Sequence, residues 1–133
     1  MTKITNINAR QVFDSRGVPT IESEVFLDDG NVASAIVPSG ASTGTHEAFE
    51  LRDIDNKEYL GKSVFKAIDK VNGEISKALL NKSPYEQDKI DQILINLDGT
   101  EQKKRLGANS ILSVSLAIAS SNTFIDSSFW PKS

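Results

Sequence analysis

Apolar and polar residues alternate with a period of two over much of the first forty positions. Ile21 and Val25 fall on one side of this alternation and Glu22 falls on the other, which is typical of strands with one buried face. Turn-forming residues at 14–17 and 28–31 divide the region. The pattern predicts a three-stranded antiparallel meander with strands at 4–14, 19–28 and 32–37.

From Gly61 the apolar residues follow a helical period. They recur at steps of four, three, four and four, and they are Val64, Ile68, Val71, Ile75 and Leu79. This single stripe predicts an amphipathic helix.

Two more helices follow. Ser83, Pro84 and Glu86 form a capping-box pattern, which predicts a helix from Ser83 to Leu97 that stops at Asp98-Gly99. Its expected buried face is Ile90, Ile93, Leu94 and Leu97. A third helix is predicted from about Asn109, with small and apolar residues around most of its circumference, so it should be packed on several sides.

The predicted fold class is therefore α+β, a three-stranded antiparallel β-meander followed by a helical bundle. We assign residues 1–119 to this domain. Residues 120–133 contain five serines and three aromatic residues without a helical face, and Pro131 is among them. We expect this divergent tail to be irregular, as would follow from a truncated or frame-shifted coding sequence.

Composition narrows the class of protein. The chain has 133 residues, no cysteine and a net charge of −3, with 15 basic and 18 acidic residues interspersed. This charge offers no electropositive face for nucleic acid. The N-terminus does not resemble a signal peptide, and the stretch from Ile111 to Ala119 is far shorter than the ~20 residues that cross a bilayer. We expect a cytoplasmic protein with no membrane partner.

Residues 38–60 have no sustained period, and such a long connection in a compact domain is usually functional. It includes the run Ser39-Gly40-Ala41-Ser42-Thr43-Gly44. Small residues and hydroxyls bring backbone groups close to a phosphate or a hard cation. The run is not a Walker loop, because no lysine follows its last glycine. A connector rich in turn formers is the alternative.

Acidic residues cluster in the same region. His46 and Glu47 are adjacent and therefore do not face one another, so they are a poor transition-metal pair. Five spaced carboxylates could serve magnesium or form a solvated face: Glu47, Glu50, Asp53, Asp55 and Glu58.

Six segments resemble the enolase family in content, order and spacing, over residues 3 to 119. They are Asp14-Ser15-Arg16-Gly17, Pro38 to Gly44, His46-Glu47-Ala48, Glu50-Leu51-Arg52-Asp53, Leu97-Asp98-Gly99-Thr100-Glu101 and Gly107-Ala108-Asn109-Ser110-Ile111-Leu112. The resemblance implies a sheet and helical bundle that pack against a C-terminal α/β barrel.

The resemblance also implies a lyase of glycolysis that dehydrates 2-phosphoglycerate to phosphoenolpyruvate in a cytoplasmic homodimer. Two Mg²⁺ ions, a lysine base and a glutamate acid serve the reaction in this family, and base and acid lie on the barrel. No catalytic residue is therefore expected in this chain, and residues 1–133 alone are expected to be inactive.

The resemblance also implies roles for individual residues at the positions that match the enolase family. Ser42 matches the serine that binds the second magnesium. The residues matching the lid over the substrate are Ser39, Gly40, Ala41 and Thr43. Arg10 and Glu22 match strand positions that form ion pairs across the dimer. Two alternatives stay open: a stand-alone binding or assembly module, and a superfamily enzyme acting on another carboxylate.

Overall fold

The computed structural model of the chain describes residues 2–37 and 49–123. Three strands form one antiparallel sheet in the order β1-β2-β3, and they are β1 Ile4–Phe13, β2 Pro19–Leu27 and β3 Val32–Ile36. Four α-helices follow in the described ranges: α1 Phe65–Lys70, α2 Ser76–Leu79, α3 Gln87–Asp98 and α4 Ala108–Thr123. The predicted fold class is confirmed. No helix in these ranges is long and apolar enough to cross a membrane.

The two hairpin turns form where the turn-forming residues predicted them. In the first, an Asp14 carboxylate oxygen accepts the N–H groups of Arg16 and Val18 at 2.8 and 2.9 Å. In the second, Gly30 has a φ of +90°, which a residue without a Cβ adopts readily. The β1–β2 register pairs Arg10 with Glu22, and the β2–β3 register pairs Val25 with Ala33.

The helices cover one face of the sheet. α4 lies across β2 and β3, and the helical segment that ends at Leu79 lies on β1. Ser23 of β2 and Ser113 of α4 are both fully buried, and their hydroxyls are 2.7 Å apart, which joins the two layers. Close packing of this kind needs small residues on α4, as the sequence predicted. α3 packs on the outer side of α4.

The helical segment from Phe65 to Leu79 is not a regular α-helix. Residues Val71–Ile75 between α1 and α2 form a π-helical turn. The whole predicted stripe is nevertheless buried, at 8% exposure or less. Within the π-turn, the Asn72 side-chain oxygen accepts the Ala9 N–H at 2.8 Å and so covers part of the outer edge of β1.

Two helix boundaries differ from prediction. The capping box at Ser83 is wrong: Ser83 Oγ accepts the Tyr85 N–H at 3.2 Å and closes a tight turn, so α3 begins only at Gln87. Its buried face is as predicted, with Ile93 and Leu97 partly buried. The prediction of irregular structure after Ala119 is wrong for residues 120–123, because they continue α4. The Asn122 amide donates to the Pro84 carbonyl at 2.7 Å and thereby ties this last turn to the turn that precedes α3. The division at residue 119 stays a prediction, and residues 124–133 lie outside the described ranges.

Candidate functional site

The predicted lid lies outside the described residues. Ser39, Gly40, Ala41, Ser42 and Thr43, together with His46 and Glu47, belong to residues 38–48. Their predicted roles stay predictions. The structure does describe the two ends of this segment, and both are held by specific hydrogen bonds.

The first end leaves the sheet at Val37. The Val37 N–H donates to the Ile21 carbonyl at 3.1 Å, and the Val37 carbonyl accepts the Thr20 hydroxyl at 2.5 Å. Val37 and Thr20 are 2% and 3% exposed. The chain therefore enters the segment from a fixed point at the start of β2.

The second end rejoins the fold at Phe49. Its N–H donates to the Gln102 carbonyl at 2.7 Å, and its carbonyl accepts the Ala108 N–H at 2.7 Å. Two residues later, the Asn109 side chain binds the backbone of Leu51 at both groups. It accepts the Leu51 N–H at 3.0 Å and donates to the Leu51 carbonyl at 3.1 Å. We call the contact between residues 49–51 and 102–109 the clasp.

Arg52 connects the second end to the first. Its guanidinium donates to the Pro19 carbonyl at 2.9 Å and to the Lys62 carbonyl at 2.5 Å, and its Nε pairs with Glu50 at 3.0 Å. Pro19 precedes Thr20, which binds Val37. Both ends of the 38–48 segment are thus tied to the first two residues of β2.

The connection between α3 and α4, residues 99–107, is organised by Asp98. This carboxylate is 2% exposed and accepts the Leu106 N–H at 2.7 Å and the Thr100 N–H at 3.0 Å, along with the Thr100 hydroxyl. Burial raises the pKa of Asp98, but these hydrogen bonds outweigh burial, so its pKa lies below the ordinary value of 3.8. Asp98 thereby fixes the conformation of residues 99–107, and Phe49 is hydrogen-bonded to Gln102 within this connection.

Asp98→Ala is expected to lower the free energy of unfolding by about 3 kcal/mol, because the buried Leu106 N–H and the donors of the exposed Thr100 lose their acceptor. Asp98→Asn is expected to lower the free energy of unfolding by nearly as much. Its amide NH₂ group would face the N–H of Leu106 or Thr100, and two donors cannot form a hydrogen bond. The measurement is urea unfolding followed by circular dichroism, with exposed Asp69→Ala as the control. An Asp98→Ala protein as stable as that control would contradict the role.

The hydrogen bonds of the Asp98 carboxylate make the stability of the chain depend on pH. Because the folded-state pKa of Asp98 is lowered, its stabilisation is fully present above the unfolded value near 3.8 and is lost as pH falls through the folded-state pKa. The wild-type chain should therefore lose stability on acidification below that pH. The Asp98→Asn variant should show a shallower loss over the same interval.

Arg105 braces the other side of this connection. Its guanidinium pairs with Glu74 through contacts of 2.8 and 3.0 Å and also donates to the carbonyls of Leu97 and Asp98 at the end of α3. The hydrogen bond from Arg105 holds the pKa of Glu74 below its ordinary value. This bracing links the π-turn to the end of α3.

Two described members of the acidic run, Glu50 and Asp53, bind other groups of the fold, and Glu47 lies outside the described residues. Glu50 is paired with Arg52, and Asp53 is buried, where its two oxygens accept the N–H groups of Phe65 and Lys66 at 2.9 and 3.0 Å. Asp53 therefore caps the start of α1. Within residues 2–37 and 49–123, no group of three or more His, Cys, Asp or Glu side chains could hold a metal ion.

A family model described as the enolase N-terminal domain matches residues 4–126. The chain belongs to this family. It is also 62% identical over 117 residues to an enolase from Pelagibacter ubique (strain HTCC1062). That alignment covers 88% of this chain and 28% of the relative, so the chain spans little more than a quarter of that enolase.

Within this enolase domain, Arg10 and Glu22 lie opposite one another on β1 and β2. Arg10 Nη2 is 2.5 Å from Glu22 Oε1, and the side chains are 65% and 13% exposed. The two residues predicted to pair across a dimer thus pair with each other inside one chain. Much of the Arg10 side chain stays open to solvent.

Sequence reasoning missed the clasp. It assigned Asn109 only to the start of a helix and gave Leu51 no role. The available signal was that Gly107, Ala108 and Asn109 stand together in a segment that resembles the enolase family.

Proposed function

We propose that this chain is the N-terminal domain of an enolase, a glycolytic lyase that dehydrates 2-phosphoglycerate to phosphoenolpyruvate. The observation that carries the proposal is the 62% identity to an enolase over 88% of the chain. The fixed ends of the 38–48 segment support it, since a segment that lines an active site needs defined anchors. A cytoplasmic setting is part of the proposal.

In this proposal the complete enzyme uses two Mg²⁺ ions, and Ser42 supplies oxygen ligands to the second one. The described carboxylates near the segment do not fit a magnesium site, because Asp53 is committed to capping α1 and Glu50 to Arg52. As the resemblance to enolases implies, the remaining ligands, the base and the acid would lie on a barrel outside residues 1–133. When bound, magnesium would stabilise negative charge that develops on the substrate carboxylate.

The lid residues Ser39, Gly40, Ala41 and Thr43 are proposed to exclude water from the substrate. Their small side chains allow backbone groups to approach it closely.

We also propose a homodimer in which Arg10 and Glu22 contact the second subunit. The exposed part of the Arg10 side chain is free to do so without loss of its contact to Glu22.

The test is Ser42→Ala in a protein that joins residues 1–119 to an enolase barrel. The change removes one hydroxyl ligand and keeps the small size of the segment, so kcat should fall by about 10²-fold while the fold survives. Steady-state kinetics across a magnesium titration measures this, with circular dichroism as the folding control. Unaltered kcat and magnesium dependence would reject the metal role of Ser42.

A further inference from the structure

We propose that Asn109 is a positioning residue for this reaction, because it fixes the point at which the segment that carries Ser42 rejoins the folded domain. This inference rests on the proposed function for its kinetic consequence. Its structural part, the clasp, stands on described residues alone.

The geometry of the clasp is that of a backbone pairing made by a side chain. The Asn109 amide satisfies both the N–H and the carbonyl of Leu51, at 3.0 and 3.1 Å, across 58 positions of sequence. Only an amide side chain offers an acceptor and an NH₂ donor side by side in this way. Asn109 is 3% exposed, so water does not readily replace these bonds.

The backbone is shaped to allow the clasp. A Cβ on Gly107 would lie 2.5 Å from the Leu51 Cβ and 2.7 Å from the Asn109 side-chain oxygen, so only glycine permits this approach. With the two bonds of Phe49, four hydrogen bonds hold residues 49–51 to residues 102–109. Ser42 lies seven residues before Phe49 in the sequence, so a shift of the clasp moves the point at which the segment that carries Ser42 rejoins the fold.

A purely structural role for Asn109 is the competing explanation, and Asn72 provides a control with an amide that makes one backbone hydrogen bond at an exposed position. The exposed Asn72 amide also holds a distant backbone group, the Ala9 N–H at 2.8 Å, on the outer edge of β1. If Asn109 acts only through stability, both alanine variants should retain full activity wherever they are folded.

Two variants of Asn109 keep the test decisive. Asn109→Ala removes both bonds. Asn109→Asp keeps the acceptor for the Leu51 N–H, suits the first turn of α4 and so should fold, but it places an oxygen against the Leu51 carbonyl. Both should loosen the clasp, while Asn72→Ala should not.

The first readout is hydrogen exchange in the 1–133 chain. Exchange of the Phe49 and Leu51 amides should rise by about 10-fold or more in both Asn109 variants, as expected for a local opening, and should stay unchanged in Asn72→Ala. Unchanged exchange in a folded Asn109→Asp variant would overturn the clasp as an anchor.

The second readout is kinetics in residues 1–119 joined to an enolase barrel, at a temperature where each variant is folded. Both Asn109 variants should lower kcat by about 10-fold or more with a smaller change in KM, because displaced groups act mainly in the transition state. Asn72→Ala should keep its kcat.

The outcomes separate the two proposals. If Ser42→Ala has no effect, the proposed function fails at its metal ligand, and the exchange result still decides on the clasp. If Ser42→Ala lowers kcat and Asn109→Asp does not, the proposed function stands and the positioning role is overturned.

Discussion

Purified residues 1–133 are expected to form no phosphoenolpyruvate from 2-phosphoglycerate and magnesium, even at high protein concentration. Enzymes lower such barriers by about 8 kcal/mol or more through positioned acids, bases and charges. The described residues hold no cluster that could bind a metal ion, and the chain covers 28% of its enolase relative. Turnover should therefore stay at the uncatalysed rate, as measured by phosphorus NMR.

The control for this experiment is the same domain joined to an enolase barrel, which should be active under identical conditions. Turnover by the isolated chain that disappears in its Ser42→Ala variant would refute the expectation. Turnover that survives this substitution would indicate a contaminating enolase.

Gly107→Ala is expected to lower the free energy of unfolding by about 4 kcal/mol, the sum of two costs. Gly107 has a φ of +91°, which strains any residue with a side chain, and the added methyl group would overlap Leu51 and Asn109. Equilibrium unfolding in urea measures the total. The variant should also release the clasp, so Phe49 and Leu51 should exchange their amide hydrogens faster.

Two other glycines separate these costs. Gly17 has a φ of +76° and open space around it, so Gly17→Ala should lose only the conformational part, about 1 kcal/mol. Gly73 lies in the π-turn with open space and no positive φ, so Gly73→Ala should be neutral or stabilising by up to about 1 kcal/mol. A Gly107→Ala variant no worse than Gly17→Ala would show that the overlap is relieved at little cost.

The strands were predictable because local chemistry specifies them. The period-two alternation of β2 and the glycine-containing turns on either side of it act over a few residues, and β1, β2 and β3 lie within one residue of prediction at each end. The start of α3 was not predictable, since Ser83 can cap a helix or close a turn with the same hydroxyl. Pro84, within the turn that Ser83 closes, is buried.

The π-turn was hidden in the spacing of the apolar stripe. From Val64 to Leu79 the stripe spans 15 residues in four turns, which is 3.75 residues per turn and exceeds the ~3.6 of an α-helix. A π-helical turn holds more residues, so it keeps Leu79 on the buried face.

The candidate site was predictable only in part. The resemblance to enolases singled out Ser42, whereas the anchors of its segment depend on pairs far apart in sequence, such as Leu51 with Asn109. Asp53 illustrates the same limit. As one of five spaced carboxylates it suggested a ligand or a solvated face, and the fold instead buries it against the first turn of α1.

The outer edge of β1 has a consequence for synthesis on the ribosome. Its partners come late in the chain: the Ala9 N–H donates to Asn72, the Ile4 backbone pairs with Asn81 and Lys82, and the Gln11 side chain accepts the Val64 N–H. A nascent chain that has exposed only the sheet therefore offers unpaired backbone groups along β1, which invite pairing with a neighbouring nascent chain. The sheet gains its permanent edge only as residue 82 emerges, and its covering helix only with α4. Slow or paused translation between these points would lengthen the interval in which polysome-bound copies can associate.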